Sequence, residues 1–341
     1  MHIRDKNNFD FVRFFAATLV LISHSFALTG NPKAEPLAVL SGYRTDLGHL
    51  AVIIFFIASG FLIAASWNNK PDFLRFINSR ILRIIPGLAV VLLFCILIGS
   101  IITTVSSRTF YGSAITFFIR NLFMYKGQGD LAGVFQQNVY GDAVNGSLWT
   151  LRIEFTCYLL IAAIGMIGAL NKKTAWVLWA ITTVLAALNI HSPNLIKELL
   201  PLQAWFLAGT ISYLHRDDAV NSTLVCGAAI LLIGAYITDD ILLISPAIAF
   251  ILIKAIYLRG PLNSFGKYGD FSYGIYIYAF PIQQFFVYAF PGIGWMENCI
   301  LSFPMTLICA IASWHCVEKR CLAFKNISVR QLIKRQLQRG I

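Results

Sequence analysis

Long apolar runs alternate with short polar connections along the whole chain. Ten runs can be drawn, at 9–28, 48–68, 84–106, 147–169, 174–190, 199–215, 222–238, 241–258, 269–290 and 295–316. Each is close to the roughly 20 residues that an α-helix needs to cross a bilayer core. A shorter stretch, 113–125, carries Arg120 and Asn121 and is expected to be re-entrant or interfacial within the connection 107–146. The pattern predicts an all-α, polytopic integral membrane protein with about ten transmembrane helices. Ser25-Phe26-Ala27 loosely resembles a signal-cleavage site. The first run is long for a signal core and carries Arg13 and His24, so it reads as a retained helix.

Composition agrees with a membrane solvent. Of the 341 residues, 57% are hydrophobic and 13% charged, and the mean hydropathy is +0.70. A soluble domain carries about 25% charged residues. One integral domain over residues 1–325 is therefore expected, followed by a basic tail over 326–341. In that tail Val329, Leu332, Ile333 and Leu337 form an apolar stripe that suits the surface of an anionic leaflet, or the tail is simply frayed. Seven cysteines lie mostly inside apolar runs, without the paired spacing of a zinc site, and read as small packing residues. No metal is expected.

The net charge of +11 could suggest nucleic acid, but its distribution describes topology instead. Lys and Arg outside the runs divide 18 against 6 between the two sides, with the N-tail, the loop 69–83 and the C-tail on the richer one. The positive-inside rule then places both termini in the cytoplasm.

Ionisable residues at membrane depth are costly and face a protein interior or a water-filled cavity. His24 stands out among them. Arg13 lies eleven residues earlier, on nearly the same face of an α-helix and about 16 Å away along its axis. A neutral-range imidazole in such a place suits proton transfer, although a packed histidine near the membrane surface is equally consistent. Glu154 reaches a similar expected depth from the run 147–169, where it could orient His24. Arg152 could pair with Glu154 instead. At the cytoplasmic end, Arg80 and Arg83 are neighbours on one helix face and could hold phosphates, or could merely record the positive-inside signal. Ser59 and Gly60 permit close helix approach, and the absence of a Gly-x-Ser-x-Gly elbow argues against a serine nucleophile. Tyr273 and Tyr276 share a face and could offer hydroxyls to a polar ligand, or pack at the interface.

An ordered set of motifs resembles the membrane-bound acyltransferase-3 family. It comprises Arg13 and His24, Phe55-Phe56-Ile57-Ala58-Ser59-Gly60-Phe61, Arg80-Ile81-Leu82-Arg83-Ile84-Ile85-Pro86, Ser147-Leu148-Trp149-Thr150-Leu151-Arg152-Ile153-Glu154-Phe155 and Ser272-Tyr273-Gly274-Ile275-Tyr276. The resemblance implies a ten-helix bacterial inner-membrane O-acetyltransferase that uses acetyl-CoA as a substrate, with no resident cofactor. The acceptor is a hydroxyl of a cell-surface or lipid-linked polysaccharide. By the same resemblance His24 is essential and Glu154 is the acidic position, both catalytic. Arg13, Arg80 and Arg83 serve the acyl donor, and Ser59, Trp149, Arg152, Tyr273 and Tyr276 are pocket or acceptor candidates. Two features depart from the family pattern. Ala279 stands near a frequent histidine, and Glu318-Lys319-Arg320 keeps the glutamate of a Glu-x-Pro motif without its proline.

The implied partners are acetyl-CoA, a glycan and membrane lipid, and not nucleic acid. Two routes remain open, direct attack of the acceptor hydroxyl on the thioester and an acetyl-His24 intermediate. The competing function is a proton-coupled transporter that uses His24 and Glu154. Paired Gly/Pro-broken helices in corresponding halves, which would mark a transporter site, are not visible.

Overall fold

The polar residues between apolar runs act as helix caps. Asp46 accepts from the His49 N–H, Asp72 from Arg75, Ser106 from Thr109 and Asn171 from Thr174, and each occupies the exposed donors of a helix that starts at the next residue. The computed structural model describes residues 7–125, 129–141, 143–188, 194–218 and 241–326. Its helices are α1 (Phe9–Leu28), α2 (Pro36–Leu40), α3 (Leu47–Asn69), α4 (Phe73–Ile102), α5 (Ser107–Leu122), α6 (Trp149–Met166), α7 (Lys172–Ala187), α8 (Asn194–Leu214), α9 (Ser245–Ile256), α10 (Ser272–Ala289) and α11 (Trp295–Ser313). There is no strand among the described residues. The all-helical expectation holds.

Among the described residues five stretches are long and apolar enough to cross a membrane: Phe9–Leu28, Leu47–Asn69, Phe73–Ile102, Gly146–Met166 and Trp295–Lys325. Ile241–Ile256 and Pro261–Tyr268, bent by 85°, make a sixth if they are one broken span. The expected run 222–238 and the stripe at 329–337 lie outside the described residues. The third run differs from expectation. It begins at Phe73, not near residue 84, and Pro86 lies inside the helix. Arg75, Arg80 and Arg83 lower the local hydropathy without interrupting the helix. The Tyr273 hydroxyl donates at 2.9 Å to the carbonyl of Ile84, beside the turn that the proline disturbs.

α10 is the central element. Every residue from Ser272 to Gln284 is buried, polar ones included, so its tyrosines and glutamines face protein. α1 and α11 pack along it, α3 lies against α1 and α8, and α7 and α9 cover α8. Pro281 cannot donate to the Ile277 carbonyl four residues earlier. Asn145 supplies the missing donor, with its Nδ2 2.9 Å from that carbonyl.

Asn145 belongs to the residues 129–141 and 143–148, which fold into the bundle. Leu131, Val134, Phe135, Val144, Ser147 and Leu148 are buried there. Asn138 Nδ2 donates to the backbone and side-chain oxygens of Gln284 at 2.9 and 2.8 Å, and Gln284 Nε2 donates to the carbonyls of Tyr140 and Ala143 at 2.6 and 2.7 Å. Consequently α6 starts deep within the protein, with Thr150 Oγ1 2.7 Å from the Tyr276 hydroxyl.

α3 and α8 meet backbone to backbone. A Cβ on Gly60 would fall 1.9 Å from the Phe206 carbonyl oxygen, and one on Gly209 would fall 2.0 Å from that of Ile57. The close approach expected of the Ser59-Gly60 pair is thus realised, with a reciprocal glycine on the partner helix. Gly60→Ala should lower stability by about 3 kcal/mol through this overlap. In α5, Gly112 faces open space, and Gly112→Ala should be neutral or stabilising by up to about 1 kcal/mol. Thermal unfolding of the two purified variants in detergent checks the contrast.

Candidate active site

Three polar groupings occupy successive levels along α1. The first lies at its Arg13 end. Arg13 Nη1 donates to Asp270 Oδ2 at 2.6 Å, and Arg83 Nη2 donates to the same oxygen at 2.5 Å. Asp270 Oδ1 accepts from the Ser272 hydroxyl at 2.5 Å. Arg83 Nη1 also lies 3.5 Å from Glu318 Oε2, while Glu318 Oε1 accepts from Ser313 at 2.9 Å. Residues Trp314–Glu318 form a π-helical turn between α11 and a short continuation, Lys319–Leu322. Such turns re-aim side chains inside a helix and are frequent at functional sites. Here the turn brings the fully buried Glu318 to Arg83.

Arg80 lies one turn from Arg83 but is engaged differently. Its Nε donates to Ser79 at 3.1 Å and its guanidinium stands over the Phe76 ring at 5.8 Å. Among the described residues it has no carboxylate within ion-pair distance.

The second level is a narrow cavity of about 40 Å³. Arg13, Ser59, Thr150, Glu154, Tyr273 and Tyr276 supply its polar wall, and Val52, Phe55, Phe56 and Leu151 the rest. Glu154 Oε1 accepts from Ser59 at 2.7 Å and from the Tyr158 hydroxyl. Its charge acts on both Arg13 and Arg80. The space admits a few waters but not a coenzyme arm, so a donor would enter by parting these helices.

The third level holds His24. Its ring meets Phe280 edge-on at 5.1 Å, and its Nδ1 is buried without a hydrogen-bond partner. Asp46 is the carboxylate whose field reaches it. On α10, Phe280 stands four residues beyond Tyr276, so His24 lies about 6 Å further along than the Thr150–Tyr276 contact.

This arrangement sorts the residues singled out in the sequence. Arg13, Ser59, Glu154, Tyr273 and Tyr276 converge on one cavity. His24 does not line it, and Glu154 does not meet His24 in a hydrogen bond. Their expected equal depth assumed that the run 147–169 starts at the membrane surface. The inward fold of 129–141 and 143–148 sinks its start, and Glu154 comes to line the same cavity as Arg13. Arg152 does not pair with Glu154 either. It approaches Glu198 of α8 at 3.8 Å. Trp149 is 41% exposed and stands outside the cavity wall. Arg83 is held by two carboxylates, leaving Arg80 as the member of the pair free of one. Asp270 and Asp46 escaped sequence reading; the only signals were a carboxylate two residues before Ser272 and a capping aspartate before Leu47.

An acyltransferase-domain family matches residues 6–314. The chain belongs to the acyltransferase-3 family. This acyltransferase is 32% identical over 331 residues to an O-acetyl transferase of Shigella phage Sf6, covering 93% of this chain and 96% of that one. It is 24% identical over 360 residues to Nodulation protein 10 of Rhizobium leguminosarum bv. viciae, covering 94% of each. No solved structure matches. Its several long apolar helices fit a multi-pass membrane enzyme.

Asp270→Asn should leave two guanidiniums with reduced compensation in the acyltransferase and cost about 3 kcal/mol. The double variant Asp270→Asn/Arg13→Gln should lose less than the sum of the two single variants. Unfolding midpoints of the four proteins in one detergent test this coupling.

Proposed function

We propose that the protein is an O-acetyltransferase of the bacterial inner membrane, moving an acetyl group from acetyl-CoA to a hydroxyl of a cell-surface or lipid-linked polysaccharide. The observation that carries this reading is the near-full-length similarity to a phage O-acetyl transferase. The polar levels along α1 give it a physical route. The proposed topology has ten spans with both termini cytoplasmic, so the Arg13 end of α1 faces the cytoplasm and the His24 end faces outward.

Acetyl-CoA then arrives from the cytoplasm. Arg80, free of a carboxylate partner, takes a phosphate of the coenzyme. Arg13 and Arg83 hold the entrance in shape through Asp270. The thioester arm parts the narrow cavity beside Ser59 and Glu154. His24 acts as general base and takes the proton from the acceptor hydroxyl. The hydroxyl oxygen attacks the thioester carbonyl, the C–S bond breaks, and the proton passes from the imidazolium to the departing thiolate. Glu154 serves the donor cavity in this scheme and does not orient His24.

Labelled acetyl-CoA and lipid-linked glycan in membranes test the reaction. Wild type should transfer label and release coenzyme A, which a transporter would not do. His24→Ala should lower transfer by about 10³-fold, within the range for loss of a general base. Arg80→Gln should raise KM for acetyl-CoA roughly tenfold with kcat largely kept, as expected for loss of one charge-assisted phosphate contact. Label trapped on the protein without acceptor would select the acetyl-His24 route over direct transfer.

A further inference from the structure

Asp46, which approaches Ser23 of α1, lines a second cavity that the donor route leaves unused. It measures about 370 Å³ and is lined by Pro32, Lys33, Ala38, Tyr43, Arg44, Thr45, Asp46 and His49. That volume falls within the roughly 300–1,000 Å³ of small-molecule sites. The walls are braced before any ligand arrives. Glu35 is buried, and its two carboxylate oxygens accept from the Ala38 N–H at 2.6 Å and the Leu47 N–H at 3.0 Å, tying the start of α2 to the start of α3. Ser41 bonds both Ala38 and Thr45 across the turn.

Tyr43 is the anomaly in this wall. Its φ is +65°, a left-handed conformation that a bulky side chain adopts only at a cost. The residue is nonetheless 65% exposed. Packing therefore does not account for a tyrosine at a position that glycine would fill without strain. Strained backbone of this kind clusters where a side chain is being presented to a ligand.

Asp46 joins this cavity to the catalytic level. Its carboxylate lines the cavity and lies 3.5 Å from the Ser23 hydroxyl, next to His24 in the chain. Gly48 allows the approach, since a Cβ there would stand 3.0 Å from Ser23 Oγ.

We propose that this cavity is the acceptor subsite and holds a sugar unit of the glycan whose hydroxyl is acetylated. The Tyr43 ring offers a flat apolar face for the C–H face of a pyranose. Asp46 accepts from sugar hydroxyls, while Lys33 and His49 provide donors around the rim. The assignment rests on the acyltransfer reading, which supplies a glycan acceptor.

The test uses Tyr43→Gly and Lys33→Glu in the full-length protein in nanodiscs. The probe is lipid-linked glycan extracted from cells that make the protein. Acceptor KM, acetyl-CoA KM and direct retention of labelled glycan are measured together with the unfolding midpoint. Tyr43→Gly should unfold at the same temperature as wild type or higher, because glycine relieves the backbone. It should also raise acceptor KM and weaken glycan retention about tenfold, the scale of one lost aromatic contact, with acetyl-CoA KM unchanged. Lys33→Glu should weaken glycan use in the same direction. Unchanged acceptor KM and retention in both variants would overturn the subsite while leaving acyltransfer intact. Should wild type transfer no acetyl at all, the acyltransfer reading fails. Glycan retention then decides only whether this cavity binds glycan: loss in the variants supports a glycan site there, and equal retention overturns it.

Discussion

A single carboxylate sets the geometry of this bundle. Asp270 receives Arg13 from α1 and Arg83 from α4 on one oxygen, and Ser272 at the start of α10 on the other. Helix packing among apolar side chains tolerates rotation and sliding, because lipid competes for the same contacts. A shared acceptor for two guanidiniums does not. It fixes which face of α1 and α4 turns inward, and it does so at the foot of the buried helix α10. The azimuth of α1 then determines where His24 points, eleven residues away. Glu318 extends the constraint to α11 through Arg83 and the π-helical turn. With Arg13 and Arg83 balanced in this way, Arg80 is left without a carboxylate at ion-pair distance among the described residues.

The second constraint is the inward fold of residues 129–141 and 143–148. Its anchor is a backbone carbonyl that Pro281 deprives of its helical donor and Asn145 supplies. This pairing explains why a proline is tolerated in the most buried helix. It also explains why α6 begins at depth, and so why Ser59, Glu154 and Tyr158 share one level with Arg13. The Thr150–Tyr276 bond closes that level on the side towards His24. The cavity between Arg13 and Glu154 and the imidazole are thus adjacent storeys of one bundle, separated by about one helical turn.

Much of this was legible in the chain because its causes are local. The period of apolar residues gave the helices, and the eleven-residue interval put Arg13 and His24 on one face. Gly60 announced a close helix contact, found against α8. The misreadings arose where distant segments decide. Hydropathy gives the length of 147–169 but not the depth of its start, which depends on Asn145 reaching Ile277. Arg80 and Arg83 look alike in sequence, yet only Arg83 meets Asp270 and Glu318. The start of α4 was hidden for the related reason that three arginines depress hydropathy within an unbroken helix. Asp46 reads as an ordinary helix cap, and only the fold lays it beside Ser23.

The two ends of α1 also differ in how they are held, and that difference bears on turnover. At the Arg13 end Asp270 joins Arg13 and Arg83 beside a cavity too small for a coenzyme arm. At the His24 end, Nδ1 lacks a partner and Asp46 acts at a distance through its field. A buried polar atom left unmade costs about 1–3 kcal/mol in an otherwise paired interior. That cost falls away when an incoming hydroxyl completes the hydrogen bond. The ion-paired cluster thus lies at the end where a donor would enter, and the unpaired imidazole nitrogen at the end where an acceptor would arrive.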